Sequence, residues 1–289
     1  MVTVLVTGAN GQLGRALQKI AHAQSEAKFV FLDSSTLDIT DAVAVSDRFE
    51  AVQPDYVINA AAYTAVDKAE SEAEKAYAVN AKGVANLAAA CKEHHCVLLH
   101  ISTDFVFDGT SRHPYKETDA TGPQGVYGAS KLKGEEQIAE IGGPHFIVRT
   151  SWLYSEFGHN FLKTMLRLGR ERDELGVVND QIGTPTNAND LARALLAIIE
   201  SHEANPGNAP YGVYHYSNTG SCSWYGFAKE IFRQSEISIT LNPIPTSAYP
   251  TPAKRPHYSV MDTEKIRTAF SLEIPEWSNS LSRVLEALR

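Results

Sequence analysis

Val2-Thr3-Val4-Leu5-Val6-Thr7-Gly8-Ala9-Asn10-Gly11-Gln12-Leu13-Gly14 stands at the start of the chain. The β-branched apolar run from Val2 to Val6 reads as a strand buried on both faces. It enters a turn with glycines at 8, 11 and 14, and then a helical stretch from Arg15 to Ala23. Strand, glycine-rich turn and helix in that order are the setting in which such a turn holds a dinucleotide. Gly8 permits the tight turn, Gly11 lets backbone N–H groups approach a pyrophosphate, and Gly14 lets helix and strand pack closely. The partial positive charge of the helix N-terminus favours the phosphates. Gly8, Gly11, Gln12, Leu13 and Gly14 are therefore candidate cofactor residues.

Moving outward, Phe29 to Leu32 forms a second strand ending at Asp33, nineteen residues past Gly14. An acid there accepts hydrogen bonds from the adenosine ribose. Ser34, Ser35 and Thr36 follow, with no nearby cation for a 2′-phosphate, so NADH or NADPH is expected with a tilt to NADH. Asp38 and Ile39 are placed either to flank the adenine or, with Thr40 and Asp41, to cap a helix. The third strand ends at Asn59. The small residues after it, Ala61 and Ala62 with Tyr63, let a cofactor approach the backbone or simply make a tight junction. Glu70 to His94, containing Asn80, reads as one long amphipathic helix, and Val97 to Ile101 as the fourth strand. This alternation predicts an α/β fold, a Rossmann-type doubly wound parallel sheet.

Ligands in such sheets sit beyond the carboxyl ends of the strands. Strand four ends in Ser102-Thr103-Asp104, so Thr103 and Asp104 are site candidates. Twenty-four residues after Thr103 comes Tyr127-Gly128-Ala129-Ser130-Lys131. Tyr and Lys four apart share a helix face. An ammonium roughly 5 Å from the phenol, at an effective dielectric of about 20, interacts by about 3 kcal/mol, or roughly two pKa units. That brings the phenol to roughly 8, where it exchanges protons at cellular pH.

The second half breaks the alternation and predicts a smaller C-terminal α/β substrate domain. The expected division is residues 1–150 for the dinucleotide and mainly 151–289 for the substrate, with segments near 176–200 and 213–235 returning to the first domain. Trp152, after strand five (His145 to Arg149), is placed to stack on a sugar or to pack in the core. Asn160 is placed to contact a nucleotide or to cap a helix. Gln181 and Arg255 are added to the candidate substrate residues only by the family resemblance set out below. Pro243 to Pro256 is proline-rich, excludes regular helix and is expected to wrap the substrate. The final helix, Trp277 to Leu288, carries an apolar docking stripe.

Composition narrows the partners. Hydrophobic residues are 43% and charged residues 21%, ordinary for a globular protein, and the net charge of -8 argues against a nucleic-acid binder. No window reaches the ~20 apolar residues of a membrane span, and the first residues read as a strand, not a signal peptide. Cys91, Cys96 and Cys222 form no CxxC pair, so a reduced, cytoplasmic protein is expected. The ten histidines show no metal-ligand spacing, and no metal is expected.

Gly8/Gly11/Gly14, Ser102-Thr103 and Tyr127/Lys131 together resemble the extended short-chain dehydrogenase/reductase superfamily. Six stretches are similar to its branch acting on dTDP-linked 4-dehydro sugars: residues 11–14, 59–70, 102–109, 127–135, 149–154 and 180–186. The resemblance spans essentially the whole chain. It implies reduction of the C4 ketone of dTDP-4-dehydro-L-rhamnose, with Tyr127 as general acid, Lys131 lowering its pKa and holding the nicotinamide ribose, and Thr103 hydrogen-bonding the developing alkoxide. It also implies a nucleotide-sugar partner and a monomer or homodimer. Phe105 stands where many members have tyrosine. Ala16 and Asn189 stand where members with a magnesium-bridged dimer are acidic. His257-Tyr258-Ser259 is atypical after Arg255-Pro256. The rival expectations are a 4-epimerase or another sugar reductase on this scaffold, and a regulatory subunit of methionine adenosyltransferase.

Overall fold

The computed structural model describes residues 1–21 and 27–289. The first half alternates β1 (Val2–Thr7), α1 (Gln12–Ala21), β2 (Ala27–Leu32), α2 (Ala42–Val52), β3 (Tyr56–Asn59), α3 (Val66–Ala69), α4 (Ala73–Tyr77), α5 (Gly83–Glu93), β4 (Val97–Thr103), α6 (Val126–Ile141) and β5 (His145–Thr150). Helix α1 starts three residues before the expected Arg15; its expected end at Ala23 lies outside the described residues. The second half holds β6 (Leu153–Tyr154), α7 (Phe161–Glu171), β7 (Glu174–Val178), β8 (Ile182–Gly183), β9 (Thr186–Asn187), α8 (Ala188–Ala204), β10 (Gly212–His215), β11 (Cys222–Ser223), α9 (Trp224–Gln234), β12 (Thr240–Ile244), α10 (Glu264–Phe270) and α11 (Trp277–Ala287). No described helix is long and apolar enough to cross a membrane.

The main sheet has the order β10-β5-β4-β3-β1-β2. All its pairings are parallel. Successive residues point to opposite faces, and both faces are buried. Val4, Val6, Tyr56, Ile58 and Leu99 pack towards α8 and α1, whereas Leu5, Val57, Leu98 and Ile147 pack towards α2, α5 and α6. The result is a Rossmann-like three-layer fold. Strand order reverses between β1 and β3, the switch point at which such sheets hold ligands.

Two expectations need correction. The stretch from Glu70 to His94 is not one regular helix: α4 and α5 are joined by a π-helical turn over Ala78–Lys82. Such insertions are frequent at functional sites. Here the turn holds Asn80 inward, where its carbonyl oxygen would lie 2.2 Å from a Cβ on Gly134, so α6 approaches on glycine. Secondly, of the stretches expected to return to the sheet, α8 and β10 do so, but β7 and α9 do not. Val177, Phe227 and Ile231 share a separate core with α7 and α11. The proline-rich segment begins inside a strand, where β12 pairs with β7 through Pro243 and Val177.

Candidate active site

The glycine turn lies against the end of β3. Gly8 has φ +70°, and a Cβ on it would fall 2.6 Å from the Ala60 carbonyl and the Ala61 nitrogen. A Cβ on Gly14 would fall 2.4 Å from the Gly8 carbonyl oxygen. Backbone is therefore bare at the switch point, leaving a cradle that side chains would fill. Asp33 ends β2 beside it. Its carboxylate accepts from the Ser35 hydroxyl at 2.6 Å, the Ser35 N–H at 2.9 Å and the Thr36 N–H at 3.1 Å. These bonds, led by Ser35, hold it below the usual carboxylate range. Asn10 donates to its other oxygen at 2.5 Å. Asp38 accepts from Thr40, and Asp41 caps α2. The Ile39 side chain is in the core, against α5. The Ala61-Ala62-Tyr63 stretch is pinned by Asn80, whose amide accepts from the Tyr63 N–H at 2.8 Å and donates to the Tyr63 carbonyl at 3.1 Å. Asn80 is fully buried and also donates to Ser130, so it braces the site rather than lining it.

Beyond β4, Thr103 lies close enough to Tyr127 to act on its phenol. Thr103 donates to Asp104 at 3.0 Å and accepts from the Phe105 N–H at 3.2 Å. Phe105 meets the Tyr127 ring edge-on, centroids 5.5 Å apart. Burial pushes the Tyr127 phenol up to about 12; the Thr103 hydroxyl pulls it down, and the Asp104 carboxylate pushes it further up. The expected acidic phenol near 8 is not found, because Lys131 is engaged elsewhere. Its Nζ donates to the Ile101 carbonyl at 2.6 Å and stands 3.3 Å from His100 Nε2. Burial lowers Lys131 to about 8, against the pull of Glu135. Asp104 is buried with one oxygen unpartnered, and burial raises it to about 6 although Ser259 and Thr103 bond to it.

The remaining candidates are more dispersed. Trp152, at φ +47°, stacks on Trp224 with centroids 3.5 Å apart, and a Cβ on Gly183 would fall 2.5 Å from its ring. The ring thus packs, partly buried, against the core of the second half. Asn160 caps α7 by accepting from Lys163 N–H, and donates to the Gln12 side chain at 2.8 Å. Gln12 also donates to the Leu153 carbonyl at 3.2 Å, so it ties the glycine turn to the second half of the chain. Gln181 donates to Thr246 at 3.0 Å. Arg255 pairs with Asp67 at 2.8 Å, fastening the proline-rich segment to α3. Asn189 donates to Glu156 at 2.8 Å, and Glu156 pairs with Lys19.

Sequence reading missed two buried systems. Arg149 and Glu135 form an ion pair at 2.6 Å, with Ser102 donating to the same carboxylate. Thr7, Asn59 and His100 lie in register across β1, β3 and β4 and are hydrogen-bonded in a row. The available signal was a histidine, asparagine or arginine inside an apolar strand, since buried polar groups need partners.

The description of a family model, RmlD substrate binding domain, matches residues 2–289. The chain belongs to this family. Among its relatives, a dTDP-4-dehydrorhamnose reductase of Aggregatibacter actinomycetemcomitans is 43% identical, over 98% of each chain. The reductase of the same name from Escherichia coli K12 is 41% identical, over 99% of this chain and 98% of its own. The crystal structure of a dTDP-4-dehydrorhamnose reductase from Bacillus anthracis, in complex with NADP, is 41% identical with a TM-score of 0.94, covering 99% of this chain and 100% of that one. A UDP-glucose 4-epimerase from Brucella ovis, 20% identical with a TM-score of 0.83 and covering 98% and 97%, shares the fold. Within the family, then, this chain has a glycine cradle and a Thr–Tyr–Lys cluster at one sheet edge.

Proposed function

We propose that the chain reduces the C4 ketone of dTDP-4-dehydro-L-rhamnose to dTDP-L-rhamnose with NADH or NADPH. The observation that carries this reading is the placement of Thr103, ending β4, beside Tyr127 in the first turn of α6, on the strand-end edge that also carries the glycine cradle. Gly8, Gly11 and Gly14 would receive the pyrophosphate, with Gln12 and Leu13 opening the helix, and Asp33 the adenosine ribose. Either coenzyme fits: the acid at 33 favours a ribose hydroxyl, while the related B. anthracis structure contains NADP. The coenzyme, when bound, supplies the hydride.

The protein supplies position and proton. A phenol raised to about 12 is fully protonated at neutral pH, which is the form a general acid needs before reduction begins. Tyr127 would give its proton to the carbonyl oxygen as charge develops there. Thr103, whose hydroxyl proton would turn from the Asp104 carboxylate to a new acceptor, would stabilise the same oxygen. Lys131 would hold the nicotinamide ribose. Asp104, Gln181 and Arg255 would border the sugar, and the segment around Arg255, fastened to Asp67, would cover it.

Tyr127→Phe tests the assignment. Loss of the acid should lower kcat for NADH or NADPH oxidation with dTDP-4-dehydro-L-rhamnose by about 10²–10⁴-fold, with coenzyme-induced thermal stabilisation intact. A variant that oxidises coenzyme at the parent rate removes Tyr127 from the role. No turnover by the parent chain with either coenzyme removes the substrate assignment.

A further inference from the structure

Helix α6 carries both Tyr127 and Lys131, and its first residue is Val126. The first N–H groups of a helix have no partner inside it, and the residue just before it commonly supplies one from a Ser, Thr, Asp or Asn side chain. Here that residue is Gly125, which has no side chain to offer. The cap comes from 56 residues earlier in the chain. Glu70, which follows α3, accepts from the Val126 N–H through Oε1 at 2.9 Å. The carboxylate occupies the seat a local cap would need, since a Cβ on Gly125 would fall 2.7 Å from the same oxygen. Its negative charge also suits the positive end of a helix of 16 residues.

The capped turn is the one that presents Tyr127, and its other sides are closely seated. A Cβ on Gly128 would fall 2.2 Å from the Phe105 carbonyl oxygen, so the turn rests directly on the residues that follow Thr103. Ala69, the last residue of α3, is fully buried in a cluster against which Val126 and Tyr127 pack. Further along α6, Asn80 donates to the Ser130 hydroxyl at 3.0 Å, which fixes the second turn and not the first.

We propose that Glu70 is a positioning residue, which sets the place of the Tyr127 hydroxyl by capping α6 from the end of α3. It acts through Val126 and not on the substrate. Glu70 is exposed, and its loss costs the fold no more than that of an ordinary cap. The rate is more sensitive. A proton donor works only within hydrogen-bond reach of its acceptor, and a displacement on the order of 1 Å can cost about 10²-fold. Loosening of the first turn is therefore felt in the chemical step before it is felt in stability. This consequence rests on the functional reading above, with Tyr127 as the acid.

The test uses the full chain and the variants Glu70→Ala and Glu70→Gln, read in two ways. The first needs no ligand. Residue-resolved amide exchange should show the Val126 N–H protected in the parent and exchanging about tenfold faster or more in Glu70→Ala. Protection should return in Glu70→Gln, whose amide oxygen still accepts. The melting temperature of Glu70→Ala should fall by only about 2–4 °C. The second reading is turnover of dTDP-4-dehydro-L-rhamnose. Glu70→Ala should lower kcat about tenfold or more, with KM for sugar nucleotide and coenzyme within about twofold. Glu70→Gln should return kcat to within about twofold of the parent. A Val126 amide that exchanges as fast in the parent as in Glu70→Ala overturns the proposal. So does a Glu70→Ala variant with the parent kcat, or a kcat loss that Glu70→Gln does not recover. A parent chain with a protected Val126 amide that reduces no sugar nucleotide would sink the functional reading alone.

Discussion

Arg255 Nη2 lies 2.8 Å from the Asp67 carboxylate, although 188 residues separate them in the chain. The other Asp67 oxygen accepts from the Ala253 N–H at 3.2 Å. One carboxylate on α3 thus clasps the proline-rich segment at two points. Both partners are partly exposed, so solvent screening keeps the pair below about 1 kcal/mol. Asp67→Ala should therefore leave the melting temperature nearly unchanged while trypsin cleaves several-fold faster after Lys254. An unchanged cleavage rate would mean that the segment is held by its other contacts.

Gly14→Ala puts a methyl group 2.4 Å from the Gly8 oxygen and 2.6 Å from the Ala9 oxygen, both backbone atoms that cannot step aside cheaply. Overpacking of this kind costs about 1–3 kcal/mol. Calorimetric titration with NADH should show binding weakened at least ~10-fold, a loss of about 1.4 kcal/mol. Parent-like affinity would show that the turn does not hold the coenzyme.

The Glu135–Arg149 pair is buried on both sides. Removing one partner leaves an uncompensated charge in the interior. Glu135→Ala should destabilise the fold by about 3–5 kcal/mol in a denaturant titration, while a paired Glu135→Leu, Arg149→Leu variant should recover much of that loss. Equal losses in the single and double variants would assign the effect to packing.

Asp104 supplies a pH test. Its folded value, about 6, lies above the unfolded value near 4. The folded state therefore binds more protons than the unfolded state between those values, and the contribution falls as pH rises. It is fully present below about 4 and lost above about 6, a change on the order of 3 kcal/mol. Urea unfolding at both ends of that window, for the parent and Asp104→Asn, should show the variant relatively more stable at neutral pH. A difference that does not vary with pH would show that the carboxyl titrates normally.

Much of the fold could be read along the chain because it rests on local regularities. Val2 to Val6 is apolar at every position because its strand is covered on both sides. Gly8, Gly11 and Gly14 recur at the spacing of one tight turn. Thr103 could be marked because β4 ends at the carboxyl edge of the sheet, and Tyr127 because it stands four residues before Lys131 on a helix. These are short-range patterns, and short-range patterns survive in a linear text.

Partnership between distant side chains does not. Trp152 and Asn160 each had two plausible uses on paper. Packing chose: a ring stacked on Trp224, and a cap that also reaches Gln12. The acidity of Tyr127 is decided in the same way, since the i,i+4 spacing places Lys131 on the right face but says nothing of the Ile101 carbonyl and the His100 ring that engage its Nζ. The residue order of this chain determines where strands, turns and helices lie and which end of the sheet collects reactive groups. Which hydrogen goes to which acceptor was settled by strand register, which aligned Thr7, Asn59 and His100, and by burial, which left those groups no water to turn to.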